Sequence, residues 1–212
     1  MKNKIFIAYG TRPEIIKISP VIRELDNRNI AYKTIFIGQH RELYEDVKNL
    51  VPTPNYSLNI MKKNQSLTDI LHHTSSGLSK LLLNEKPNLL IVQGDTATVA
   101  ICALIAFYQK IPIGHIEAGL RTYNLDSPYP EEGNRQIVSR ISTYNWAPTL
   151  LAEKQLKEEK VHNVILTGNT IVDACTRFRY PIQYNNQILI TLHRRENFGT
   201  KMRKIFNEIE TL

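Results

Sequence analysis

One step, repeated along this chain, constrains its fold most: a short apolar run, a polar turn containing glycine, then apolar residues at helical spacing. Leu89–Val92 runs into Gln93-Gly94-Asp95-Thr96, and Ile111–Ile116 into Glu117-Ala118-Gly119-Leu120-Arg121. Ile5–Tyr9 breaks at Gly10-Thr11-Arg12-Pro13-Glu14, after which Ile15, Ile16, Ile18, Val21, Ile22 and Leu25 recur with a helical period. Val164–Leu166 followed by Thr167-Gly168-Asn169-Thr170 gives the step again. Strand–loop–helix units in series build a parallel sheet with helices on both faces. The expected class is therefore α/β, a doubly wound, Rossmann-like parallel sheet. Ala97–Phe107, apolar nearly all round, suits the buried middle of such a sheet.

Open sheets of this kind bind ligands beyond the carboxyl ends of their strands. Asp95 and Glu117 are expected side by side at that edge, with Glu131 and Glu132 arriving from the next loop. Gathered carboxylates suggest proton chemistry. Plainer readings stand beside this one. Asp95 is also placed to cap the helix that follows it. Arg135, four residues after Glu131, is placed to hold that acid in a structural ion pair. Glu117 has no such competitor, since no helix visibly begins there. Arg12 and Lys17 flank a helix N-terminus whose first turn suits Pro13. That end is either an anion site or a plain βα turn with surface cations.

Between these turns, Ala31–Ile37 reads as a strand, Glu42–Leu50 as a helix and Tyr56–Ile60 as a short connection. A long helix runs to about Asn84, opened by Ser66 with Asp69 three residues on, close to a capping box. Tyr144–Ala147 is a short strand, Leu150–Glu159 a charged outer helix and Ile171–Phe178 a further helix. Arg179–Gln187 is polar and aperiodic and reads as a linker. Ile188–Leu192 then reads as a fresh strand and Lys201–Leu212 as a helix. One strand and one helix cannot bury a core of their own. The expected organisation is a first domain over residues 1–175, a linker over 176–187, and the opening of a second domain over 188–212.

Composition narrows the function. With 212 residues and 42% hydrophobic content, the chain can bury a sizeable core. A net charge of +7 fits an anionic ligand or a solvated basic surface. Nucleic acid is not expected, because no basic run is interleaved with aromatics. Cys102 and Cys175 both fall in helical patterns, which leaves no disulfide framework and no metal-ligand spacing. The neighbours His72 and His73 face different ways on a helix and do not suit a shared metal; His40 stands at a strand end, either as a ligand contact or, more commonly for a lone histidine there, as a plain loop residue. The longest apolar run, Thr98–Phe107, is too short to span a bilayer, and no signal peptide precedes the first strand. A soluble, cytoplasmic chain is the expectation.

Six motifs occur in order: Gly10-Thr11-Arg12-Pro13-Glu14-Ile15-Ile16-Lys17, Gln93-Gly94-Asp95-Thr96, His115-Ile116-Glu117-Ala118-Gly119-Leu120-Arg121, Pro130-Glu131-Glu132-Gly133-Asn134-Arg135, Gly168-Asn169-Thr170 and His193-Arg194-Arg195-Glu196-Asn197. As a set they resemble the non-hydrolysing UDP-N-acetylglucosamine 2-epimerases, and the resemblance covers the whole length of the chain. It implies the first half of a two-domain, glycosyltransferase-B-like fold, truncated before most of the nucleotide-binding domain. It implies interconversion of UDP-GlcNAc and UDP-ManNAc by inversion at C2, through elimination and re-addition of UDP, with no metal or redox cofactor. By the same resemblance Asp95, Glu117, Glu131 and His193 are catalytic, while Arg12, Lys17 and Arg135, with Asp95, Glu117 and His193, contact substrate. The implied partner is a UDP-sugar, and the implied assembly a homodimer. A two-domain glycosyltransferase, a hydrolysing epimerase and a non-catalytic fragment are the alternatives.

Overall fold

The structure is a computed structural model, and it describes residues 4–38, 46–60, 65–177, 184–190 and 199–210. The chain forms two compact units, Met1–Arg179 and Tyr180–Leu212.

In the first unit the described strands are β1 (Ile5–Tyr9), β2 (Tyr32–Phe36), β3 (Tyr56–Ser57), β4 (Leu89–Gln93), β5 (Ile113–Ile116), β6 (Tyr144–Ala147) and β7 (Val164–Leu166). They make one parallel sheet in the order β3-β2-β1-β4-β5-β6-β7. The winding reverses between β1 and β4, and that reversal opens a crevice at the carboxyl ends of those two strands. The doubly wound, Rossmann-like expectation is met.

The helices are α1 (Arg12–Asn27), α2 (Leu67–Glu85), α3 (Ala97–Tyr108), α4 (Glu131–Ile141), α5 (Leu150–Glu158) and α6 (Thr170–Thr176). Strands buried on both faces need apolar side chains at every position rather than at alternate ones. Along β1, Phe6 and Ala8 join the cluster with Leu78, Leu82, Val99, Ala103 and Val138 of α2, α3 and α4. Ile7 and Tyr9 face the other way, into the cluster with Ile15, Ile18 and Ile22 of α1. Each fully buried Ile or Leu contributes about 1.5–3 kcal/mol relative to exposure. Trp146 packs against this second cluster, and its ring crosses the backbone at Gly114. A Cβ at 114 would overlap the indole, 2.6 Å from its Cζ3.

Local chemistry sets the helix ends. Thr11 opens α1 in a full capping box with Glu14. Pro20 lies inside α1 and cannot donate to Ile16 O; the Ser19 hydroxyl donates to that carbonyl instead, at 2.9 Å. Ser66 and Asp69 cap α2 reciprocally, as their spacing suggests.

Three local expectations need correction. Tyr56–Ser57 is an edge strand rather than a connection; Asn55 Oδ1 accepts Thr34 N–H at 2.8 Å and starts the ladder, and two residues are too few to show alternation. Of the helix expected at Glu42–Leu50, positions 42–45 lie outside the described residues, and Lys48–Leu50 is one 3₁₀ turn. In the second unit, residues 188–190 carry no regular structure where a strand was expected; 191 and 192 lie outside the described residues. A strand is stabilised by pairing with a neighbour, and among the described residues this unit offers only the helix α7 (Thr200–Glu210).

Candidate active site

Three turns meet at the carboxyl edge around the winding reversal: Gly10–Pro13 after β1, Gln93–Thr96 after β4 and Glu117–Arg121 after β5. The Ser127–Pro130 segment leads into α4 and brings Glu131, Glu132, Asn134 and Arg135 to the same edge.

Asp95 is not the helix cap. Thr96 is the N-cap of α3, its hydroxyl accepting Val99 N–H at 3.3 Å. The Asp95 carboxylate is thus left for another partner, and Arg135 Nη2 stands 2.5 Å from its Oδ2. Asn134, the preceding residue on α4, donates from Nδ2 to the Asp95 carbonyl at 2.9 Å. Arg135 also reaches Glu132, with Nη1 3.4 Å from Oε2. The expected pair of Arg135 with Glu131 does not form, because the guanidinium turns inward to these two acids. Glu131 is the first residue of α4, half-buried, and its side chain makes no hydrogen bond or ion pair among the described residues.

Glu117 follows β5 in the left-handed region, φ +67, a conformation that costs a non-glycine residue about 1–2 kcal/mol. Its Oε2 accepts from Lys17 Nζ at 2.5 Å and from the Gln93 side-chain amide. Lys17 reaches it from the second turn of α1. Arg12 behaves differently: it is 44% exposed and lies 3.4 Å from Asp46 Oδ2, a pair of the exposed kind that adds little.

Several groups at this edge escape a reading of the sequence. Glu14 is 3% exposed and clips two turns together, Oε2 accepting Gly10 N–H at 2.6 Å and Oε1 accepting the Thr96 hydroxyl at 2.9 Å. Burial pushes its carboxyl above the usual range, against the lowering effect of those hydrogen bonds. Its signal was present: Thr-x-x-Glu before an apolar run is a capping-box pattern. His115 is fully buried, and burial pushes it down to about 4, so it is the neutral ring that donates Nε2–H to Gly94 O at 2.8 Å. Glu132, also fully buried, accepts from Gln136 and from the backbone N–H of Thr122 and Tyr123. Burial opposes its charge, but those bonds and Arg135 outweigh it and hold the carboxyl below its usual range. Arg121 is spent on Glu159 in a bidentate pair at 2.8 and 2.9 Å; no sequence signal joins residues 38 apart.

Asp95, Glu117, Lys17 and Arg135 therefore cluster at the strand ends, Arg12 stands exposed on the first turn, and the Glu131 side chain has no partner among the described residues. His193 and His40 lie outside the described residues. Among the described residues no group of three or more His, Cys, Asp or Glu side chains is arranged to hold a metal ion. No described helix is long and apolar enough to cross a membrane.

A profile of the UDP-N-acetylglucosamine 2-epimerases matches residues 23–212. The chain belongs to the UDP-N-acetylglucosamine 2-epimerase family. The family match takes in Asp95, Glu117, Glu131 and Arg135 and begins beyond Arg12 and Lys17. The chain is 42% identical over 224 residues to the UDP-N-acetylglucosamine 2-epimerase of Campylobacter jejuni, covering 94% of this chain and 58% of that protein. Among solved structures it is similar to Staphylococcus aureus MnaA with UDP, at 37% identity and a TM-score of 0.88, covering 99% of this chain and 59% of that one. It is also similar to the Neisseria meningitidis epimerase bound to UDP-GlcNAc, at 47% identity and a TM-score of 0.77, covering 82% and 49%. The chain spans about three fifths of the length of the curated relatives it matches.

Proposed function

We propose that this chain serves the interconversion of UDP-GlcNAc and UDP-ManNAc. The observation that carries the reading is the pair Asp95 and Glu117 at the ends of adjacent strands. Each gives one oxygen to a cation, Arg135 or Lys17, and keeps the other without a partner among the described residues. The proton at C2 of the sugar is too weakly acidic for simple exchange, so inversion there calls for elimination. One carboxylate takes the C2 proton, and the electron pair of that C–H bond becomes the C1–C2 double bond as the C1–O bond to UDP breaks. The products are 2-acetamidoglucal and UDP. A second group returns a proton to the opposite face of C2 while a UDP oxygen re-forms the bond to C1.

In this reading Asp95, Glu117 and Glu131 are the proton-transfer groups. Arg12, Lys17 and Arg135 meet the anionic side of the substrate, and His193 is assigned to the diphosphate by resemblance. Domains divided at 1–175, 176–187 and 188 onward belong to the same proposal. So do a homodimer, a cytoplasmic location and supply of a nucleotide sugar to polysaccharide assembly.

The test is incubation with UDP-GlcNAc in D₂O, followed by NMR. It uses the chain as it stands and the chain fused to about the last two fifths of the C. jejuni relative. The expected result is UDP-ManNAc carrying deuterium at C2, with turnover restricted to the fusion because a cleft enzyme needs both walls held in place. Free ManNAc with UDP would assign the hydrolysing outcome. Consumption only when an acceptor is added would assign glycosyl transfer and overturn the proposal.

A further inference from the structure

Gln93 ends β4 and is 2% exposed. In the parallel ladder its Cα is partnered with Ile116, the residue before Glu117, and Gly94 N–H donates to Ile116 O at 3.0 Å. That register fixes the two strand ends side by side. Glu117 then leaves the strand with φ +67, and its carboxylate meets the end of β4, where the Gln93 amide donates to Oε2. Lys17 Nζ donates to the same oxygen from α1. Glu117 Oε1 has no partner among the described residues. A lysine on its flexible four-carbon stem neutralises a carboxylate without fixing its rotation. A buried carboxamide on a strand end does fix it, because its own position is set by the sheet.

We propose that Gln93 is a positioning residue for Glu117: by sharing Oε2 with Lys17 it selects Oε1 as the oxygen presented to substrate. The proposal deepens the function given above and rests on Glu117 being one of its proton-transfer groups. Gln93 is assigned a role through Glu117, with no contact of its own to substrate. It carries no charge, so it orients the carboxylate and leaves the net charge of the Lys17–Glu117 pair unchanged.

Two readouts in the chain as it stands need no turnover. In the wild-type chain the Gln93 Nε2 protons should show nuclear Overhauser contacts to the Glu117 γ-methylene; their absence in assigned spectra overturns the proposal. Zero-length carbodiimide coupling, read by peptide mass spectrometry, should join Lys17 to Glu117. Gln93→Met, of similar length but with no donor, should lower that yield at least about threefold, and Gln93→His, which restores an N–H donor, should recover it. Equal yields in all three proteins overturn the proposal. If Gln93→Met does not fold, as judged by circular dichroism, the wild-type contacts and the Gln93→His yield decide. In the fusion described above, Gln93→Met should lower kcat about 10- to 100-fold, the scale of an ångström of misplacement, with KM changed less than about twofold. A fall confined to KM would make Gln93 a binding residue and reject the positioning role. A fusion that never epimerises while the coupling result holds would reject the proposed function and leave the Gln93–Glu117 assignment standing.

Discussion

Arg135 ties Asp95 to the helix that follows the next strand, its Nη2 2.5 Å from Oδ2 while Nη1 reaches the buried Glu132 at 3.4 Å. One guanidinium thus serves a carboxylate at the crevice and another in the interior. Removing it takes the cation from both acids and leaves the buried Glu132 charge to its neutral donors, Gln136 and the backbone N–H of Thr122 and Tyr123. Arg135→Met should cost about 2–4 kcal/mol in urea denaturation, because one partner is fully buried. Adding Asp95→Asn to that variant should recover part of the loss, with a coupling of about 1 kcal/mol in the double-mutant cycle. Strict additivity would show that the two side chains do not sense one another.

The strain at Glu117 gives a stability test separate from chemistry. With φ +67 the position favours glycine. Glu117→Gly should be more stable than Glu117→Ala by about 1 kcal/mol, while both lose turnover in the fusion. Equal stability of the two variants would place the residue outside the left-handed region.

Asp95→Asn, Glu117→Gln and Glu131→Gln should each lower turnover by about 10²–10⁴, with affinity for UDP little changed. Glu131→Gln is the cleanest of the three. Its side chain has no partner among the described residues, so stability should stay within about 0.5 kcal/mol of wild type. Normal turnover in all three would remove the proton-transfer roles.

Two buried groups should give opposing pH dependences of stability. His115 is held down to about 4 in the fold against 6.5 when unfolded. The unfolded chain therefore binds the extra proton first. His115 supports the fold fully above pH 6.5, and about 3 kcal/mol is lost as pH falls from there to about 4. Glu14 is raised above 4.5 in the fold, so its contribution is full below that value and declines as pH rises toward the folded pKa. Denaturant midpoints across pH 4–8 should show the acid-side loss flattened in His115→Gln and the decline above pH 4.5 flattened in Glu14→Gln. Unchanged profiles would mean neither group titrates as its burial requires.

The layout of this site was legible because sheet topology sends every βα turn to one edge. Asp95, Glu117 and Lys17 come together by that rule, and apolar runs and glycine turns are enough to invoke it. The partners were much less legible. Asp95 is open to reading as a cap because Asp and Thr are both capping residues and Asp is the stronger of the two, and only geometry gives the role to Thr96. Spacing places Glu131 within reach of Arg135, yet the guanidinium pairs with Asp95 and with the fully buried Glu132, which sequence distance does not reveal. Gln93 and His115 were hidden inside motifs as strand-end residues, since burial on a parallel strand leaves no trace in periodicity. Tyr56–Ser57 pairs through Asn55, a contact made across 21 residues.

The indole of Trp146 lying across Gly114 also restricts the order in which the two positions can change. A side chain at 114 has no room while the ring is present, so a first change there forces apart β5 and β6, the strands whose ends carry Glu117 and lead to α5. Shrinking the tryptophan first opens a gap that a methyl at 114 then partly fills, and each stage is a survivable loss of packing. The pair therefore behaves as a ratchet in sequence space: drift can leave this arrangement by way of position 146, and by way of 114 only afterwards.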